Sequence, residues 1–81
     1  MPRQPLRAKN RVRFDDIAPD GVLIVVNWAD FIVGSSLFIP AIDTTELIAQ
    51  VYEVAGRYKW QLEHRFRVEN KRQGVRFWRM L

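Results

Sequence analysis

Cysteine is absent from this 81-residue chain. No disulfide can reinforce the fold and no thiolate zinc site is possible. Histidine occurs once, at His64, without the companion nucleophile and orienting acid of a recognisable catalytic motif. No apolar run approaches the roughly 20 residues of a membrane-spanning helix. Met1-Pro2-Arg3-Gln4-Pro5-Leu6-Arg7 lacks the apolar segment of a secretory signal. A soluble, cytosolic protein is expected. A Gly-rich phosphate loop is missing, and Ser35-Ser36 after Gly34 is turn chemistry without a nucleophile-elbow pattern. These absences argue against an enzyme and call for no cofactor.

Charge of one sign is missing over long stretches. Residues 1–14 hold Arg3, Arg7, Lys9, Arg11 and Arg13 and no acid, whereas residues 15–56 hold seven acids and no base. Residues 57–81 are basic again, so the net charge of +4 conceals three blocks. Such segregation predicts a molecule with one basic and one acidic side. The blander alternative is that basic and acidic blocks neutralise each other within the fold or across a dimer. A homodimer is a natural expectation for a chain this short, whose core is modest.

What is present is best read from the C-terminal third. From Trp60 to Val68 the even positions are Trp60, Leu62, His64, Phe66 and Val68, and the odd ones are Gln61, Glu63, Arg65 and Arg67. This period-two alternation predicts a strand with one face in a core. Asn70 to Gly74 carry turn chemistry, and Val75 to Met80 resume a strand, giving a C-terminal β-hairpin. Upstream, residues 1–10 read as a flexible basic arm and residues 11–81 as a single domain. Arg11-Val12-Arg13-Phe14 is weakly strand-like. Asp15 to Gly21 is a loop. Val22-Leu23-Ile24-Val25-Val26 is a β-branched run that predicts a buried strand, and Ser36 to Ile39 predicts another, closed by Pro40.

Asp43-Thr44-Thr45-Glu46 has the spacing of a helix capping box. Leu47, Ile48, Val51, Tyr52, Ala55 and Tyr58 then form one apolar stripe, with Gly56 near the helix end. The expected fold is α+β: a small antiparallel sheet in ββαββ order with one helix packed on one face.

Register decides what the hairpin displays, because a one-residue slip exchanges its faces. If Glu69 faces Val75, then Arg65, Arg67, Phe77 and Arg79 are outside, while Phe66, Trp78 and Met80 join the core. With the register slipped by one, Arg76 and Trp78 join Arg65 and Arg67 outside, while Val75 and Phe77 go in. The first arrangement, with Trp78 inside and paired with Phe66, is the favoured expectation. In either, arginines that neutralise phosphate lie beside an aromatic ring on which a base can stack. Lys71 and Arg72 at the tip can reach a groove, although turns prefer polar residues in any case. The arm residues Arg3, Arg7, Lys9, Arg11 and Arg13 suit phosphate tracking, or simply make a solubilising tail. His64 shares parity with core residues and reads as a satisfied packing histidine. Asp15, Asp16 and Asp20 lack the regular oxygen-ligand loop of a calcium site, and no metal is expected.

Two motifs together resemble a group of small tailed-bacteriophage proteins. Trp28 is followed by Val33-Gly34-Ser35-Ser36-Leu37-Phe38-Ile39-Pro40, and a helix later by Gly74-Val75-Arg76-Phe77-Trp78-Arg79. The group's pattern is Val-Gly-Asp-Ser-Phe-Phe-Val-Pro, a helix, then Gly-Val-Arg-Val-Trp-Arg. This chain departs from it at Ser35, where Asp is usual, and in its basic N-terminal extension. The resemblance spans Trp28 to Met80 and implies a phage origin and the ββαββ order, with no mechanism attached. The expectation is a small DNA-binding protein of low sequence specificity, with DNA ahead of RNA. It would act in the cytoplasm of an infected bacterium through the hairpin and arm. The alternative is an interaction module that inhibits or redirects a host protein through its acidic block or a sheet edge.

Overall fold

The computed structural model describes residues 15–81. The expected arm over 1–10 and the short strand over 11–14, with Arg3, Arg7, Lys9, Arg11 and Arg13, lie outside the described residues.

The hairpin turn sets the sheet. Asn70 and Lys71 both take positive φ, 52° and 64°, the geometry of a two-residue type I′ turn whose twist matches that of the strands it joins. It connects β2 (Leu62–Glu69) to β3 (Arg72–Arg79). Glu69 is thereby placed opposite Arg72, Phe66 opposite Val75 and Glu63 opposite Trp78. β1 (Ser36–Pro40) pairs antiparallel with the other side of β3, with Leu37 opposite Phe77 and Pro40 opposite Gly74. The sheet order is β1-β3-β2 and the sheet is open. The last strand in sequence is thus the central one, and Pro40 sits on an edge strand, where a missing donor is tolerated.

The run Val22–Val26 forms no ladder strand. Only Ile24 pairs, in an isolated bridge to Ile17, closed by Ile24 N–H to Ile17 O at 2.8 Å and the reverse bond at 3.3 Å. Val22 and Val25 point to solvent. The segment instead straps the core: Ile17, Trp28 and Phe31 are buried in it, with Ile24 and Val26 packed against it. The observed order is therefore βαββ within an α+β fold, preceded by a loop and one 3₁₀ turn at Trp28–Asp30.

α1 spans Thr44–Tyr58. Its N-cap Asp43 accepts the Glu46 N–H at 3.0 Å, satisfying one of the unpaired amides of the first turn. Asp20 accepts the N–H groups of Ile42 and Asp43, at 2.9 and 2.8 Å, which anchors the loop to the helix start. These two bonds hold the Asp20 carboxyl below its usual range. At the other end Lys59, not Gly56, takes the left-handed cap at φ 61°; Gly56 lies inside the helix. Leu47, Val51 and Val54 are buried in one cluster with Val75 and Phe77 of β3, and Ala55 is buried as well. The predicted stripe held except at Tyr58, which is exposed at the helix end, and it missed Val54.

The helix does not cover the whole inner face of β2. Leu62 and His64 are half-buried, but further along the same face Phe66 and Val68 are 66% and 72% exposed.

Candidate nucleic-acid interface

One face of the sheet carries the helix; strand alternation gives the other to Phe38, Arg65, Arg67, Glu69, Arg76 and Trp78. The faces are those of the second alternative read from the sequence, although the register that produces them, Glu69 opposite Arg72, is three residues from the first alternative and not one. Val75 and Phe77 are fully buried and Trp78 faces outward, which corrects the expectation that Trp78 packs inside against Phe66. The cause is the turn: Asn70-Lys71 alone closes the loop, where a longer turn running to Gly74 would have set Glu69 against Val75. Phe77, buried beneath α1, offers no surface to a ligand.

Arg76 is held in place on this face. Its Nε and Nη2 donate to the two Glu69 carboxylate oxygens at 2.8 and 2.7 Å, and Nη1 donates to Ser36 Oγ at 2.7 Å. This bidentate bond lowers the Glu69 pKa and raises that of Arg76. Arg67 approaches the same carboxylate at 3.4 Å. The guanidinium of Arg76 also lies 6.0 Å from the Phe38 ring centroid. Gly74 makes room for this: a Cβ there would overlap the Ile39 carbonyl oxygen and lie 2.8 Å from the Phe38 ring.

Arg65, Lys71 and Arg72 form no ion pair among the described residues. Trp78 is half-buried and shares a shallow cleft of about 400 Å³ with Glu63, Arg65, Arg67 and Met80. Glu63 lies directly opposite Trp78, and Arg65 and Arg67 follow two and four positions along the same strand towards the hairpin tip. A flat aromatic ring with cations to one side of it can stack a base and contact the adjoining phosphates.

Arg79 is withdrawn from this surface. It has core-face parity, its guanidinium sits 4.4 Å over the Trp60 ring, and it donates to the Phe31 and Leu81 carbonyls at 2.9 and 3.0 Å. Tyr58 stacks on Trp60 at 4.8 Å. Together with Trp28, these side chains make an aromatic cluster that the sequence did not disclose, because it assembles from segments some thirty residues apart. The only local hint was the density of aromatic residues around Tyr58-Lys59-Trp60.

His64 is engaged. Its Nδ1 lies 2.8 Å from Tyr52 Oη, with the rings edge to face at 5.4 Å. Burial first, and then the charge of Glu63, push the Tyr52 hydroxyl above its ordinary value. The aspartates of the 15–20 loop serve as fold contacts: Tyr58 donates to Asp15 at 2.9 Å, Trp28 Nε1–H to the Asp15 carbonyl at 2.8 Å, and Asp20 caps the helix region. No cluster of three or more metal-ligating side chains occurs among the described residues, and none of their helices is long and apolar enough to cross a membrane.

The ion pairs among the described residues are local: Arg76–Glu69, Arg67–Glu69 and Arg57–Glu53. Arg57–Glu53 joins the acidic block to the basic one at their boundary within the helix, whereas the two hairpin pairs stay within the hairpin. No protein-family model, curated protein or solved structure matches this chain.

Proposed function

We propose that this protein binds nucleic acid, DNA ahead of RNA and with little sequence preference, on the helix-free face of its sheet. The observation that carries the reading is the outward Trp78 sharing a cleft with Arg65, Arg67 and the single acid Glu63, on the sheet face away from the helix. Trp78 stacks a base, Arg65 and Arg67 take the adjoining phosphates, and Lys71 and Arg72 extend the basic track at the hairpin tip. Arg76 holds Glu69 and Phe38 in place and makes the smaller contribution. No base-edge reader is needed, which accords with low specificity. The resemblance to phage proteins makes the cytoplasm of an infected bacterium the proposed setting.

The test is fluorescence anisotropy with labelled single-stranded and duplex DNA over a salt series. The Arg65→Ala/Arg67→Ala double variant is expected to bind more weakly to all sequences. The slope of log affinity against log salt should flatten by about two phosphates' worth. Trp78→Ala should lose more for single strands than for duplex, by roughly 1–3 kcal/mol. Equal affinity in the double variant and the natural chain would remove this face from the interface. No binding even at low salt would leave the other class of function, a module that engages a host protein through its acidic block.

A further inference from the structure

β2 is an edge strand with no strand partner on its outer side among the described residues. A two-residue hairpin makes Glu69 and Arg72 a hydrogen-bonded pair. The odd residues of β2 therefore bond to β3, in keeping with Met80 N–H to Gln61 O at 2.7 Å. The even residues Leu62, His64, Phe66 and Val68 turn their backbone N–H and C=O groups to the open edge. Such an edge is a template for a further strand. It is also apolar where α1 leaves it bare: Phe66, Val68 and, beside them across Gln73, Ile42 are 66%, 72% and 83% exposed. Clustered exposure of this kind marks an interaction site.

The charges on the strand say which strand fits. Along the outer face β2 reads Glu63, Arg65, Arg67, Glu69, a palindrome. In an antiparallel copy of the strand, directly opposed side chains interact most strongly, so the register decides whether these charges attract or repel. A two-fold axis at Phe66 sets Glu63 against Glu69 and Arg65 against Arg67, all like charges. An axis at Arg65 sets Glu63 against Arg67, but it also sets Arg65, which has no carboxylate of its own among the described residues, against itself. An axis at Arg67 sets Arg65 against Glu69 on both sides of the axis, and Glu63 lies beyond the partner strand's end, where the Asn70-Lys71 turn begins. The two Arg67 side chains then meet while each is held 3.4 Å from its own Glu69. On the inner face the same register places Phe66 opposite Val68, covering the two most exposed apolar side chains of the strand.

We propose that the protein forms a homodimer by antiparallel pairing of β2 with β2 of a second copy about an axis at Arg67, making one continuous six-stranded sheet. The interface is independent of any nucleic acid, and it sets the helix-free faces of the two copies side by side.

Sedimentation velocity over a concentration series, on the full natural chain and on Phe66→Lys and Arg65→Glu, tests this. The natural chain is expected to sediment at twice the chain mass. Both variants should raise the dimer dissociation constant about tenfold or more, the first by turning a charge into the seam and the second by setting Glu against Glu69. Both sites are exposed, so thermal unfolding of the diluted variants should stay close to that of the diluted natural chain. Hydrogen exchange on the natural chain supplies a second reading that needs no variant. The Phe66 and Val68 amides should be protected at high concentration and exchange freely on dilution. A natural chain that stays monomeric, a dimer untouched by both variants, or protection that persists in the dilute monomer would each overturn the proposal. The last would mean that the edge is covered by a segment of the same chain.

Discussion

At the residue scale, Gly74 shows how one missing side chain organises a surface. The strand around it is β-branched and aromatic, yet Gly74 itself lies under the Phe38 ring and opposite Pro40. The neighbours a Cβ would meet include backbone atoms of Ile39 and Pro40, which cannot rotate away. Gly74→Ala is therefore expected to destabilise the fold by about 1–3 kcal/mol through overpacking, read as a lower urea midpoint at unchanged slope. It should also loosen the Arg76–Glu69 pair by displacing Phe38. In the sequence Gly74 looked like the end of a turn, because glycine's turn role and its close-approach role leave the same letter. That ambiguity is what misplaced Trp78. Asn70-Lys71 closes the loop with a lysine in a left-handed conformation that side chains seldom favour, so the shorter turn carried little signal. The arginines were legible as a basic set, whereas their division into Arg65 without an ion partner among the described residues, Arg76 held by Glu69 and Arg79 over Trp60 depended on contacts between distant segments.

At the element scale, α1 was the most legible part of the chain. The Asp43 cap, the 3–4 residue apolar steps and the position on one face of the sheet are all consequences of local chemistry. Asp43→Ala should cost about 1 kcal/mol of stability, measured by chemical unfolding, with the loss centred on the first helical turn in hydrogen exchange. The run Val22–Val26 was the least legible. Its composition is that of a buried strand, but strand propensity describes a side chain's fit to a pleated, half-buried surface. In this run only Ile24 and Val26 pack against the core, while Val22 and Val25 are exposed, so the pleated surface that would match its composition is not formed. Ile24 and Val26 pack from a loop instead, tied by the single bridge to Ile17. Period-two patterning in β2 correctly gave its two faces. It could not show that the helix stops short of Phe66 and Val68, since the reach of α1 over the sheet is a tertiary property.

At the scale of the whole molecule, Arg65, Arg67 and Arg76 lie on the sheet face turned away from the helix that carries Glu46 and Glu53. Stability should respond to acid through the carboxylates with fixed partners. Hydrogen bonds from Arg76 hold the Glu69 pKa below its ordinary value of 4.5, and backbone amides hold that of Asp20 below 3.8. A depressed folded-state value means that the contribution is present above the unfolded value and is lost as pH falls through the folded one. The melting temperature should therefore hold down to about pH 4.5 and then decline. The decline should be shallower in Glu69→Gln and Asp20→Asn, each of which starts from a lower plateau. The three indoles are also divided between the two sides of the sheet. Trp28 and Trp60 are packed together beneath the strap, one buried and one sandwiched between Tyr58 and Arg79, while Trp78 alone looks outward. The chain thus carries two intrinsic optical probes. One, from Trp28 with Trp60, is expected to follow integrity of the core. The other, from Trp78 and isolated by subtracting a Trp78→Phe spectrum, is expected to follow events on the helix-free face without any attached label.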